Sequence, residues 1–579
     1  MLMKAAWLAL LLCSVCGCRA EFNETLTLRP LLGGSKVLAH FHFSTTEPVA
    51  SAADDGVFPK VLQQILSKYD AESLHLTFAL GKHSDARYGP AMGVGSDALA
   101  HAPFGTRLQV QLRASGDESI TESVSLQERW RGITSELGGI FSASLNQMDL
   151  TVVTELLNYD SDPRALGAFS QETTHYDSKK KSSSRFLHAG LAREEICTEN
   201  LTPWLKMQPC RSHAGLGKLI DPIKYLSGEY LSLSLFASRS SSGNKWVLHQ
   251  QLVTVQTLSA EDRARWSLKS VFFNSLSADE TTLEACPLAT ESVIHTEMAA
   301  EEYELQHATL QLPSTVGAPA GASKQSFAAP IVHSTSLKNK NVDMADPWLV
   351  KTDSESPNHK TPQRDLVSVH RFVTGYGQVH GGIAVRLTNN HPQCAMRVTY
   401  HDVVPWYLRM YFNTFQAKTS SYGSSASEDG DAASLIQDFQ FQPAEVRGRP
   451  NQLHLELLLP ANSSFVFSIQ LEKAFLRLSE HPPDANRGFD VPSGVATFQP
   501  EIAHSPHELS CRTLHEDTRA FTRTLFTEPL LVPLPTPDFS MPYNVITMTS
   551  TVVAFFVGSM LNTLLRKAPR IKALMAKSS

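Results

Sequence analysis

Close to the C-terminus lies a run of 21 residues without a charged side chain, Val545–Leu565. As a helix rising about 1.5 Å per residue, it is long enough to span a hydrocarbon core of roughly 30 Å. Arg566, Lys567, Arg570, Lys572 and Lys577 follow it, with no acidic residue among them. A cationic flank of that kind stays in the cytosol, so the bulk of the chain is expected on the other side. At the other end, Lys4 precedes an apolar run from Ala5 to Cys16, and small residues lead to Ala20. That is the pattern of a cleaved secretory signal over residues 1–20. The two ends predict a single-pass protein with a large lumenal or extracellular part. A GPI-attachment signal is the rival reading of the C-terminus, but such a signal ends in its apolar tail. A lipoprotein signal around Val15-Cys16-Gly17-Cys18 would duplicate an anchor already supplied by the helix.

Net charge hides an asymmetry. The signal and the tail take seven of the 51 Lys and Arg, which leaves 44 against 57 Asp and Glu, about −13 for the lumenal part. A mildly acidic surface argues against nucleic acid as a partner. Of eight cysteines, Cys13, Cys16 and Cys18 fall in the signal, and Cys197, Cys210, Cys286, Cys394 and Cys511 remain. Thiols pair in an oxidising compartment, and an odd count leaves at least one free or joined to a partner chain. Sequons at Asn23, Asn200 and Asn462 fit a secreted topology.

Between the two ends, apolar residues alternate with polar or small ones. Leu74, Leu76, Phe78 and Leu80 form one such series; others are Leu108, Val110 and Leu112; Leu453, Leu455 and Leu457; and Phe465, Phe467, Ile469 and Leu471. Period two predicts strands with one buried face. The expected fold is mainly β, with lumenal antiparallel, sandwich-like domains and minor helices. The best helical stretch is Phe58 to Tyr69, where Val61, Leu62, Ile65, Leu66 and Tyr69 make one apolar face. Residues 178–185, 314–330, 351–364 and 418–434 have linker or loop composition. The expected division is a first domain over 21–340 and a second over 341–528. A proline-rich strut at 529–544, the membrane helix at 545–565 and a basic tail at 566–579 complete it. Ser550, Ala554, Gly558 and Asn562 recur every four residues along the membrane helix, a stripe suited to helix packing.

Signatures of intrinsic chemistry do not occur. There is no His-Glu-x-x-His, no phosphate loop and no Gly-x-Ser-x-Gly elbow. Gly375 to Gly382 is expected to be a turn. His295 with Glu297, and His507 with Glu508, are expected to be solvated pairs. No catalytic residue, metal ligand or cofactor is therefore assigned. Because members of a catalytic triad need not be neighbours in sequence, a lumenal hydrolase with a dispersed site stays open, as does a cell-surface adhesion or receptor protein.

Two long segments carry a resemblance. Ile196-Cys197-Thr198-Glu199-Asn200-Leu201-Thr202-Pro203-Trp204 is one, with Cys210 beyond it; Thr527-Glu528-Pro529-Leu530-Leu531 running on through Leu534 to Ile546 is the other. Phe58–Phe78, Gly139–Asn146, Cys286–Ala289, Val404–Arg409, Leu459–Asn462 and Arg487–Phe489 continue the series in order. Together they resemble the PIG-T family of GPI transamidase subunits, over essentially the whole lumenal part. The resemblance implies an endoplasmic-reticulum membrane complex that replaces a protein's C-terminal signal peptide with a preformed GPI anchor. It implies a non-catalytic, assembling role, with a caspase-like (PIG-K-like) partner and other membrane subunits as neighbours. The GPI lipid and the proprotein substrate are met through the complex, whose reactive Cys and His belong to the partner. Carried over, Cys197 is the residue that makes a disulfide to that partner. Cys210 with Cys286 is one intrachain pairing among several possible. Relatives with Phe-Cys-Ala-Ser have Phe141-Ser142-Ala143-Ser144 here, which removes one potential bridge.

Overall fold

A computed structural model describes residues 20–31, 35–49, 56–88, 102–113, 120–153, 184–240, 245–258, 265–272, 282–298, 303–307, 331–338, 341–344, 348–352, 366–375, 377–391, 394–421, 432–481, 487–501, 522–536 and 540–578. The signal up to Arg19, Cys511, the His507–Glu508 pair and most of the linker-like stretches lie outside the described residues. The chain is mainly β, with 47% strand and 25% helix.

The first part of the chain builds one nine-stranded sheet. Across it run Ile331–Ser336, Glu291–Met298, Glu21–Pro30, Lys36–Pro48, Lys245–Thr257, Tyr230–Arg239, Ala71–Leu80, Gly105–Arg113 and Ser184–Leu191. All neighbours are antiparallel except Glu21–Pro30 beside Glu291–Met298, which is parallel. The expected alternation is present: Leu74, Leu76, Phe78, Leu108, Val110 and Leu112 all enter one apolar core. Helices cover that face. Lys60–Lys68 contributes Leu62, Ile65 and Leu66, while Val61, expected on its apolar side, faces solvent. Ile120–Phe141 contributes Trp130, Ile133, Leu137 and Phe141, at helical spacing. Thr198–Lys206 contributes Leu201, Trp204 and Leu205.

A half-buried sheet would leave its other face wet, but this one is covered too. Cross-strand register places His40, His42, Gln251, Ser234, Thr77 and Arg107 on the second face, and with them His249, Phe236, His75, Gln109 and His188. Most of these are buried, with His42, Ser234 and His249 partly so. Hydrogen bonds link some directly: His42 to His249 at 3.1 Å, His75 Nε2 to Ser234 at 2.9 Å, and Arg107 Nε to His188 Nε2 at 2.8 Å.

Strand pairing carries the first body past residue 340. Val342–Asp343 pairs with Thr282–Leu283, and Trp348–Thr352 pairs with Tyr303–His307 and Arg265–Trp266. From Val367 a separate core begins. Four strands, Val367–Thr374, His380–Asn389, Ser463–Lys473 and Leu408–Ser421, face five others: Ile436–Gln442, Asn451–Leu459, Met396–Val404, Val495–Pro500 and Arg523–Phe526. Val385, Leu387, Phe465, Phe467 and Ile469 from the first sheet share one core with Val398, Tyr400, Leu455, Leu457 and Phe498 from the second. Gly375, at φ 82°, makes the turn between the first two strands, a backbone region that suits glycine.

The proline-rich stretch belongs partly to this second body. Leu530–Val532 pairs with Phe489–Val491, and Leu530, Val532 and Leu534 are buried in its core. Helix Ser540–Met575 then follows. Its segment Tyr543–Leu565 contains an 18-residue window with a mean hydropathy of 1.6, and none of that window is buried by the rest of the chain. Ser550, Ala554, Gly558 and Asn562 are all exposed, and a Cβ at Gly558 would meet nothing within 4 Å.

Burial drives the histidines of the covered face toward the neutral form. His40 is pushed down to about 4, His42 and His75 to about 3, and His188 well below the usual range, with neighbouring cations or histidines adding to the effect. A depressed histidine binds fewer protons folded than unfolded, so stability falls as pH drops below the unfolded value near 6.5. Thermal unfolding of the chain should therefore show a midpoint that declines steadily from about pH 6.5 to about pH 4. His40→Leu should shallow that decline; an unchanged slope would show that burial of His40 contributes nothing to it.

Candidate assembly site: a lone thiol and a seam

The Cys197 segment is built outward from the first core. Leu201 and Trp204 are anchors on the sheet: the Trp204 ring meets Phe43 edge-on at 6.0 Å, and its Nε1 donates to the Ser234 carbonyl at 3.0 Å. Gln250 Nε2 donates to the Trp204 carbonyl at 2.8 Å. Asn200, in the first turn, is completely buried. Its Oδ1 accepts from the Cys197 backbone N at 2.8 Å and its Nδ2 donates to the Phe141 carbonyl at 2.6 Å. One amide thus fixes the start of this helix to the end of helix Ile120–Phe141. A glycan on Nδ2 would have to replace that bond, and the Asn200 side chain itself is closed to solvent.

Cys197 caps the helix in extended conformation and is the free cysteine among the described residues, partly exposed. Its Sγ lies 3.1 Å from Asn200 Oδ1 and 3.6 Å from Glu199 Oε2. Burial pushes the thiol pKa up, and the Glu199 carboxylate adds to the rise. Such a thiol is mostly protonated at neutral pH, the opposite of the activation a catalytic nucleophile needs. It suits a cysteine that forms one bond and keeps it.

Cys210, just beyond the helix, is bonded to Cys286, 76 residues away. In the chain-entropy model a loop of that length stabilises the fold by about 4–5 kcal/mol. Buried Glu24 organises the same corner: its carboxylate accepts from Leu216 N at 3.0 Å, Cys286 N at 3.1 Å and Ser292 Oγ at 2.6 Å. Cys394 is also disulfide-bonded, to a partner outside the described residues. The other sequons lie apart: Asn23 is half-buried in the first strand, and Asn462 is exposed, at φ 51°, in the turn that crosses from strand Asn451–Leu459 of one sheet to Ser463–Lys473 of the other.

The other long segment flagged in the sequence, beginning at Thr527, holds the seam between the bodies. Glu528 Oε1 accepts from Lys82 Nζ of the first body at 2.7 Å and from His370 Nδ1 at 2.9 Å; Oε2 accepts from Arg371 N at 2.9 Å. Burial pushes the Glu528 carboxyl up, but those hydrogen bonds outweigh it and hold it well below the usual carboxylate range. The Arg371 guanidinium is wholly buried. It donates to Asp402 Oδ1 at 2.6 Å and to the carbonyls of Val491, Pro492 and Glu528 at 3.3, 2.5 and 3.1 Å. Tyr400 OH donates to the other Asp402 oxygen at 2.7 Å. Nearby, the Arg107 guanidinium lies over the Phe526 ring at 5.6 Å, and His188 comes within electrostatic reach of His401. A Cβ on Gly190 would strike Pro492 at 2.8 Å, so the bodies meet there at backbone distance.

The described histidine pair flagged in the sequence, His295 with Glu297, is not brought together for chemistry. His295 bonds Ser334 at 2.8 Å, whereas Glu297 pairs with Arg29 at 2.7 Å. Sequence reading missed Lys82, Arg371, Asp402 and Glu24. A lone carboxylate carries no periodic signal; only the long segment around Glu528 marked that place.

A two-body β chain with a guarded thiol, a pinned seam and a C-terminal apolar helix is thus defined. The family model described as "Gpi16 subunit, GPI transamidase component" matches residues 6–265 and 256–578, and the chain belongs to that family. It is 33% identical to the GPI-anchor transamidase component PIGT of Mus musculus, covering 95% of this chain and 91% of that one. The Homo sapiens protein of the same name is also 33% identical, at 95% and 90% coverage. The GPI transamidase component GPI16 of Saccharomyces cerevisiae is 27% identical, at 94% and 88%.

Glu528→Gln should destabilise the chain by about 2 kcal/mol, since a charged acceptor of three hydrogen bonds is replaced by a neutral one. Lys82→Met should cost about 0.5 kcal/mol or less, because exposed ion pairs contribute little. Denaturant unfolding with amide exchange at Arg371 separates the two; equal losses would move the main contribution from the backbone clip to the Lys82 contact.

Proposed function

We propose that this chain is a non-catalytic, assembly-holding component of the GPI transamidase, the complex that exchanges a C-terminal signal peptide for a GPI anchor. In this reading it resides in the endoplasmic-reticulum membrane. Both β bodies are lumenal, Tyr543–Leu565 spans the bilayer, and the basic tail is cytosolic. A caspase-like neighbour supplies the nucleophilic thiol and its base, and Cys197 joins that neighbour through a disulfide. A covalent tie turns a transient encounter into a permanent high local concentration.

The observation that carries this reading is the setting of Cys197. Its thiol is free and reachable, held at the end of a helix whose other side is locked into the core by Leu201, Trp204 and Asn200. Beside Glu199 it is poorly suited to attack a carbonyl. Rigid placement of a stable, unactivated thiol is what an interchain tether requires. The exposed stripe Ser550, Ala554, Gly558 and Asn562 is the proposed contact with neighbouring membrane helices. Asn462, exposed in its turn, is the best placed of the three sequons to carry a glycan, with Asn23 second and the buried Asn200 least suited.

Non-reducing electrophoresis of the complex from microsomes, with mass spectrometry of the shifted band, tests the tether. Wild-type chain should run as a reducible adduct containing Cys197 and a protease-like subunit. Cys197→Ser should lose the adduct completely while thermal stability stays within about 1 kcal/mol. An adduct that survives Cys197→Ser would remove the tether from this residue.

A further inference from the structure

We propose that the end of the second body from which the chain leaves for its C-terminal helix rests on the bilayer, with Phe475, Val446 and Leu531 inserted at headgroup depth. This rests on the reading that Tyr543–Leu565 spans a membrane.

Leu534 is buried in the second core and Ser540 is already helical. The steps between them cover at most about 20 Å of extended chain. Whatever surrounds Leu534 is therefore held close to the start of the helix. A trail of contacts leads from there to Phe475. Val532 pairs with Phe489, whose ring lies 4.9 Å from the Tyr407 ring. The Tyr407 carbonyl accepts from Ala474 N at 2.8 Å, and Phe475 follows at once. The turn around Val446 is clipped to the same place. Arg447 Nη2 donates to Glu480 at 3.1 Å, Arg477 N donates to the same carboxylate at 2.7 Å, and the Arg447 guanidinium lies over the Trp406 ring at 5.3 Å.

Exposure distinguishes this end. Phe475 is 70% exposed, Val446 64% and Leu531 48%. Among the described residues, the other exposed large apolar ones before the helix are Val61, Leu150, Ile223 and Leu288 on the first body, and on the second the less exposed Phe372 and Tyr411, at 40% and 42%. Single apolar side chains on separate loops do not form the continuous dry patch a protein partner buries. They do fit a soft surface that accepts each side chain independently, and aromatic and apolar residues flanked by arginine are characteristic of that depth. The flanking cations are largely answered within the chain: Arg447 by Glu480, Arg449 by Glu445 and Arg487 by Asp490. Insertion is thus apolar in origin, and a zwitterionic phosphatidylcholine surface is sufficient for it.

The test places the photoreactive residue p-benzoyl-phenylalanine at Phe475, at Val446 and, as a control, at the exposed Ile223, in the full chain reconstituted into phosphatidylcholine nanodiscs. After irradiation, mass spectrometry should find lipid adducts at 475 and 446 several-fold above those at 223, with no loss at high salt. Adducts chiefly to protein, or lipid adducts no more frequent than at 223, overturn the proposal. Alkaline carbonate extraction of the full chain from microsomes reports the helix separately. Retention in the pellet without lipid adducts at 475 removes the surface contact alone, whereas release into the supernatant removes the spanning helix and the contact with it.

Discussion

A guanidinium sealed from water is tolerated only when its hydrogens find acceptors and its charge finds a counter-charge, because desolvation alone costs several kcal/mol. At one point of the second body Arg371 meets both demands through Nη1 and Nη2, while its buried Nε is left without a partner. Asp402 supplies the charge, and three backbone carbonyls, those of Val491, Pro492 and Glu528, supply acceptors. Those carbonyls belong to segments that follow different strands. The arginine therefore fixes the backbone of the segment that leads to the C-terminal helix. Glu528 uses the position so created: with its own carbonyl held by Arg371, its carboxylate reaches Lys82 of the first body. Remove the buried cation and the exposed ion pair loses its footing; remove the exposed pair and the buried network stands.

At its Arg107–Gly190 end, where the two bodies also meet, the sheet presents a surface that is polar yet dry. The second face of the nine-stranded sheet carries histidine, glutamine, serine and threonine where a solvated face would have charges. A neutral histidine offers one donor and one acceptor nitrogen, but burial here leaves Nδ1 of His188 and both ring nitrogens of His40 without a partner. His188 Nε2 accepts from Arg107, which fixes the tautomer, while Arg107 lies on the Phe526 ring of the other body. The cost of this arrangement is acid sensitivity, because burial favours the neutral form of each such ring.

Much of the architecture was legible because period two survives in residues such as Leu74 to Phe78 and Phe465 to Leu471. Their partners across each sheet were not legible, since alternation reports a buried face and is silent about what covers the other. Helix Ile120–Phe141 went unremarked although Leu126, Trp130, Ile133, Leu137 and Phe141 have helical spacing; Gly132, Gly138 and Gly139 weaken its intrinsic helical signal. The Cys197 segment was legible as a block. The reason for its Asn200 was not, because the Phe141 carbonyl it serves lies 59 positions away. The same holds more strongly for Lys82 and Glu528, separated by 446 positions.

Glu528 sits at the root of the link to the helix, and this position has a mechanical consequence. Pro529 follows it, Leu530–Val532 is locked into a strand, and Leu534 is the last residue held by the core. Little chain remains to absorb rotation before Ser540. The second body is then held within a short radius of the helix, and through the close approach at Gly190–Pro492 and Arg107–Phe526, with Glu528–Lys82 beside it, the first body, with Cys197 on its helical face, is joined to it. A long flexible tether would leave the thiol free to sample a large volume. Here contacts run from Leu534 to Glu528 and Arg371, across the seam to the sheet, and from the sheet to Trp204 and Cys197. A tether at Cys197 would therefore hold its partner at a fixed place on the two bodies, not merely nearby.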